Sequence, residues 1–132
     1  MKKIIFALTI LLAVAGTSAN AQSPCASLLT DEYVSNGQYY TTAINFNETK
    51  DCEMTLIEGN EYRMIVCPRK SSKAQMQLVD KDGNILFDNR NFSYTNYWNF
   101  QIKETISCKV KLSLVDNDVE TDEIILLVGF KK

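Results

Sequence analysis

The stretch Glu61-Tyr62-Arg63-Met64-Ile65-Val66-Cys67 decides the fold. It is entered from a turn at Glu58-Gly59-Asn60 and ends at a cysteine followed by Pro68. Side chains alternate across a strand, so Tyr62, Met64 and Val66 share one face. The stretch reads as a core strand against which the other segments pack.

Seven further short runs have the same character. Upstream lie residues 39–46, with Ile44 and Phe46 inward, and 52–57, with Met54 and Leu56 on one face. Downstream come 76–80 and 85–88, joined by Lys81-Asp82-Gly83-Asn84, an Asp-Gly hairpin signal of type I′. Residues 97–103 put Trp98, Phe100 and Ile102 on one face. In the next run, Ile106, Cys108, Val110, Leu112 and Leu114 alternate with Ser107, Lys109, Lys111 and Ser113. Residues 124–130 are almost continuously apolar, and Gly129 marks a bulge or a close contact. About eight short strands at regular spacing, with no helical crossovers, predict an all-β fold. The architecture expected is an antiparallel, jelly-roll-like β-sandwich.

The N-terminus reads differently. Lys2 and Lys3, the apolar run 4–16 and Ala19-Asn20-Ala21 have the three parts of a secretory signal peptide, cleaved after residue 21. The remainder is expected to be one domain, residues 22–132, secreted or periplasmic, with no transmembrane segment. Ser23-Pro24 then starts a short helix with Cys25, Leu29 and Tyr33 on one stripe, stopped at Asn36-Gly37.

Cleavage removes two lysines and leaves 111 residues with 12 basic and 16 acidic side chains, a formal charge of −4. That balance argues against nucleic acid as a partner. All four cysteines, Cys25, Cys52, Cys67 and Cys108, lie in the exported part, which predicts two disulfides with three possible pairings. A hairpin centred on Gly59-Asn60 sets Cys52 opposite Cys67, leaving Cys25 with Cys108. The same register sets Leu56 opposite Arg63. Placing Met54 and Leu56 with Tyr62, Met64 and Val66 needs a bulge or a crossing between sheets. The pairing Cys25–Cys52 with Cys67–Cys108 therefore stays open.

Three segments resemble small exported bacterial proteins of unknown function: Tyr33-Val34-Ser35-Asn36-Gly37-Gln38-Tyr39-Tyr40, Gly59-Asn60-Glu61-Tyr62-Arg63 and Leu78-Val79-Asp80. The layout Gly59-x-x-Tyr62-x-Met64-x-Val66, then Leu78-x-Asp80-x-x-Gly83, is similar to the pre-peptidase C-terminal type and GOLD-type sandwich modules. The resemblance implies an accessory or binding role with no catalytic site to carry over.

The chain has no histidine, so no Ser-His or Cys-His pair exists. Ser71 or Ser72 with Lys70 or Lys73 offers a Ser-Lys pair in a polar loop. No catalytic residue and no cofactor are assigned; a hydrolase of unknown type is the outlying alternative. Asp116, Asp118 and Glu120, in the acidic run 116–123, are calcium candidates beside the simpler reading of a solvated loop. The run 92–100 mixes rings with asparagines. Phe92, Tyr94 and Tyr97 are the ligand-binding candidates, suited to a glycan by stacking or to a protein partner. The expected function is an exported, non-enzymatic protein with an accessory binding or envelope-associated role; the alternative is a carbohydrate-binding module on residues 92–100.

Overall fold

The computed structural model describes residues 25–132, without the side chains of Ala26 and residues 36–39. The expected signal peptide and the Ser23-Pro24 helix start lie outside the described residues. Eight strands follow: β1 (Tyr33–Asn45), β2 (Thr49–Leu56), β3 (Glu61–Pro68), β4 (Ala74–Asp80), β5 (Ile85–Asp88), β6 (Tyr97–Gln101), β7 (Ile106–Leu114) and β8 (Thr121–Lys131). One four-stranded sheet has the order β1-β8-β3-β6 and the other β2-β7-β4-β5. All pairings are antiparallel. Every connection except β4–β5 passes from one sheet to the other, which is the jelly-roll order.

The pleat explains the core. On β7, Cys108, Val110, Leu112 and Leu114 are buried, and the serines and lysines between them face outward. They meet Met64, Val66, Ile124, Leu126 and Val128 of the other sheet across the core. β3 lies between β8 and β6. Its outward residues Ile65 and Cys67 are buried too, because the N-terminal segment lies across that face. Cys25 is bonded to Cys67, with 6.1 Å between their Cα atoms. The Arg63 guanidinium donates to the Leu28 carbonyl at 2.6 Å. A Cβ on Gly129 would stand 2.5 Å from Leu29 Cδ2, so the glycine is what admits Leu29 onto the sheet. Gly129 also lies opposite Ser35, at the edge of a β1 bulge between Ser35 and Tyr39.

Four expectations change. The helix through Cys25, Leu29 and Tyr33 is a 3-10 turn, Ala26–Leu29, ended by Thr30 at φ 59°. Tyr33 already begins β1, and β1 runs through Asn36-Gly37 because pairing with β8 continues beyond the bulge. Gly59-Asn60 is not a hairpin. Its backbone bonds to Ile102 (Gly59 N–H to Ile102 O, 2.8 Å; Ile102 N–H to Asn60 O, 3.0 Å), and the chain crosses between sheets there. Met54 and Leu56 thus face Tyr62, Met64 and Val66 across the core rather than beside them. The crossing removes the Cys52–Cys67 register, and the Cys25–Cys67 bond excludes both pairings favoured from sequence. Cys52 and Cys108 are unbonded. They sit on neighbouring strands but not opposite each other: Cys52 pairs with Val110 and Cys108 with Met54.

The Asp-Gly hairpin does join β4 and β5. Its turn has an Asp80 O to Gly83 N–H bond of 3.1 Å with Gly83 at φ +88°, a type I turn closed by a left-handed glycine rather than a type I′ turn. The Asp80 carboxylate accepts from the Asn84 side chain and from the N–H groups of Asn84 and Asp82. These bonds, led by the Asn84 side chain, hold it below the usual carboxylate range.

Candidate binding surface

The flank where β5 lies over β6 is built from one polar pair. Asp88 ends β5 and caps the 3-10 turn Asn89–Phe92, accepting from Arg90 N–H at 3.0 Å. Its buried carboxylate also accepts from Gln77 Nε2 (2.9 Å) and pairs with the Arg90 guanidinium (2.8 Å). Burial works against its ionised form, but the bonds from Arg90 and Gln77 outweigh it and bring the pKa down to about 2.

Asn89, fully buried, does the work of a missing strand residue. Its Oδ1 accepts from Met76 N–H at 2.9 Å. Its Nδ2 donates to the carbonyls of Ala74 (2.9 Å) and Thr95 (3.1 Å). The edge of β4 is thereby satisfied where β5 has ended. Ser93 (φ 56°) and Tyr94 (φ 55°) then turn the chain through consecutive left-handed residues. The Asn96 carbonyl accepts from Val66 N–H at 2.8 Å, which leads the chain into β6 beside β3.

This route pushes Phe92 onto the open flank. Its ring stacks on Phe87 (5.6 Å, 8° between planes) and packs on Trp98 (4.3 Å), while Phe100 meets Phe87 edge-on. Beside this cluster is a groove of about 380 Å³ lined by Leu78, Leu86, Phe100, Ile102 and Ile106 together with Gln101, Lys103 and Glu104. Six large hydrophobics among the described residues are exposed. Two of them, Leu86 (49%) and Phe92 (46%), lie here; Ile85 (58%), opposite Val79, and Tyr97 (37%), opposite Ile65, are on the outer faces of the two edge strands. Leu86 is the extra residue of a β5 irregularity, between Ile85 opposite Val79 and Phe87 opposite Leu78.

Phe92, Tyr94 and Tyr97 do not form one stacking platform. Phe92 packs with Trp98, which is opposite core-facing Met64; Tyr97 is opposite Ile65, on the other face of the sheet. There the Arg63 guanidinium is held between the Tyr97 ring (4.6 Å) and the Tyr33 ring (4.3 Å) and donates to Asn99 Oδ1 at 2.7 Å. The Tyr33 hydroxyl donates to the Glu61 carboxylate, and burial followed by that bond raises its pKa. Tyr94 lies under the Lys73 ammonium at 5.2 Å.

The other candidates do not assemble. Among the described residues no three acidic or cysteine side chains converge as a metal site, and Asp118 and Glu120 face solvent. Asp122, counted in the acidic loop, is buried at the start of β8. It accepts from the N–H groups of Lys70, Ser71 and Glu123. Burial opposes its charge, and those three bonds keep its pKa lowered. The Ser-Lys pair does not form: the Lys70 ammonium reaches the Thr121 carbonyl and Lys73 covers Tyr94. A second groove, about 570 Å³ on the outer face of the β2-β7-β4-β5 sheet, is lined by Glu53, Thr55, Lys81, Lys109 and Lys111. Lys109 and Lys111 share Asp51 beside it (4.0 and 3.4 Å).

The aromatic run is visible in the sequence, whereas the exposure of Ile85 and Leu86 and the role of Asn89 are not. Ile85 and Leu86 carry the same apolar signal as any core strand. Asn89 bonds to backbone 13 and 15 residues away, which no local pattern records.

No protein-family model matches the chain, and no curated protein matches it. Among solved structures it is similar to the periplasmic lysozyme inhibitor of g-type lysozyme from Aeromonas hydrophila. The TM-score is 0.56 at 10% identity, over 71% of this chain and 85% of that one. Among the described residues no helix is long and apolar enough to cross a membrane. What the two proteins share is a fold: a small β-rich body with no detectable kinship in sequence.

Proposed function

We propose that this chain is an exported, non-enzymatic binding protein whose partner is another protein, docked on the β5–β6 flank through Leu86 and Phe92, with Ile85 and Tyr97 at its margins. The observation that carries the reading is the exposure of Leu86 and Phe92 beside the ring cluster and groove of that flank. Rings beside aliphatic side chains and a groove suit a protein surface. Glycan binding asks for a flat aromatic platform, and Phe92, Tyr94 and Tyr97 are spread over different sides. Export is supported by the signal-like leader and the Cys25–Cys67 bond. The likeness to a periplasmic lysozyme inhibitor makes a lysozyme the first partner to try.

The test is titration of the protein against lysozymes of several types, g-type included, alongside a glycan array. The expected result is a complex with one lysozyme that Leu86→Asp weakens at least tenfold, with a silent array. Array binding abolished by Phe92→Ala, with no protein complex, would replace this reading by the carbohydrate-binding one.

A further inference from the structure

We propose that Cys52 and Cys108 are a second disulfide in the exported protein, formed by exchange with a disulfide donor. Both lie on the inner face of the β2–β7 pair, since Cys52 is opposite Val110 and Val110 and Cys108 are alternate residues of β7. Both pack against the core cluster, Cys52 half-buried and Cys108 buried. They are diagonal neighbours. Diagonal Cα atoms in an antiparallel pair stand roughly 7–8 Å apart, and a disulfide needs less than about 7 Å. The shortfall is about 1 Å. β2 is the edge strand of its sheet, held on one side only, so it is the strand that can make the adjustment. The other pair, Cys25–Cys67, has already left these two cysteines without another partner.

The exchange proceeds in a fixed order. Cys52, the more accessible, attacks one sulfur of the donor disulfide as a thiolate. A mixed disulfide forms and one donor thiol leaves. Cys108 loses its proton, attacks Cys52 Sγ and expels the second donor thiol. Two protein thiols are oxidised and one donor disulfide is reduced. Burial raises both thiols' pKa, and the Asp51 charge raises that of Cys52 further. The uncatalysed exchange is therefore slow at neutral pH and faster in alkali. The resulting bridge fastens an edge strand to its neighbour, and its span interleaves with that of Cys25–Cys67.

The experiment uses the full chain expressed with its leader, purified from the exported fraction and alkylated under denaturing, non-reducing conditions. Proteolytic peptides are then mapped by mass spectrometry. The expected result is no alkylated cysteine, a linked peptide pair containing Cys52 and Cys108, and one alkylated thiol, Cys108, in Cys52→Ser. The same linkage should form in protein refolded with oxidised glutathione. Two alkylated thiols at Cys52 and Cys108 beside an intact Cys25–Cys67 peptide would overturn the proposal, as would any linkage of Cys52 to Cys25 or Cys67.

Discussion

Single polar residues hold the flank in place. Asp88 has its folded-state pKa depressed to about 2, below the ordinary carboxylate value. Its stabilisation is therefore present above about pH 4 and is lost as pH falls through about 2. Because Arg90 is largely exposed, screening limits the contribution to about 1–2 kcal/mol. Acid titration of wild type against Asp88→Asn, followed by tyrosine fluorescence, should show the two converging in stability near pH 2. Asn89→Ala orphans the Met76 N–H and two carbonyls in the interior and should cost about 2–3 kcal/mol, read by urea denaturation. The strand residues were legible beforehand because period-2 alternation is local; Ile106 to Leu114 reads the same in sequence and in structure. Asn89 and Asp122 were not, since what makes them interior groups is backbone supplied by other strands.

At the scale of elements, the N-terminal segment is the least self-sufficient part. It has one 3-10 turn and is attached by Cys25–Cys67, by Arg63 and by Leu29 over Gly129. Cys67→Ser should cost about 2–4 kcal/mol and release residues 25–32, read as rapid amide exchange there. Gly129→Ala displaces the flexible end of Leu29 and should cost about 1–2 kcal/mol, with the same local loosening. The helix expected here rested on a three-residue stripe, and pairing of Tyr33 with β8 overrides so short a pattern. At Gly59-Asn60 the turn itself was legible, but not its partner: a crossing and a hairpin use the same residues, and only Ile102 distinguishes them. The parity of Met54 and Leu56 against Tyr62, Met64 and Val66 already required the crossing as one of two solutions.

For the whole molecule, eight segments of the right length and spacing sufficed to anticipate a sandwich, and a jelly roll is the arrangement of eight strands observed. The proposed binding flank was less legible, because an exposed Leu86 and a buried Leu78 look alike until the sheet edges are known. The molecule that results has one charged outer face, one face covered by its own N-terminus, and one flank that exposes Leu86 and Phe92. The central claim is that this flank receives a protein. Amide hydrogen exchange, with and without a protein found to form a complex in the titration, tests it most directly. Slowed exchange confined to residues 85–99 and the 102–106 rim is the predicted result. Protection on residues 51–55 and 107–111 instead, with the flank unchanged, would contradict it.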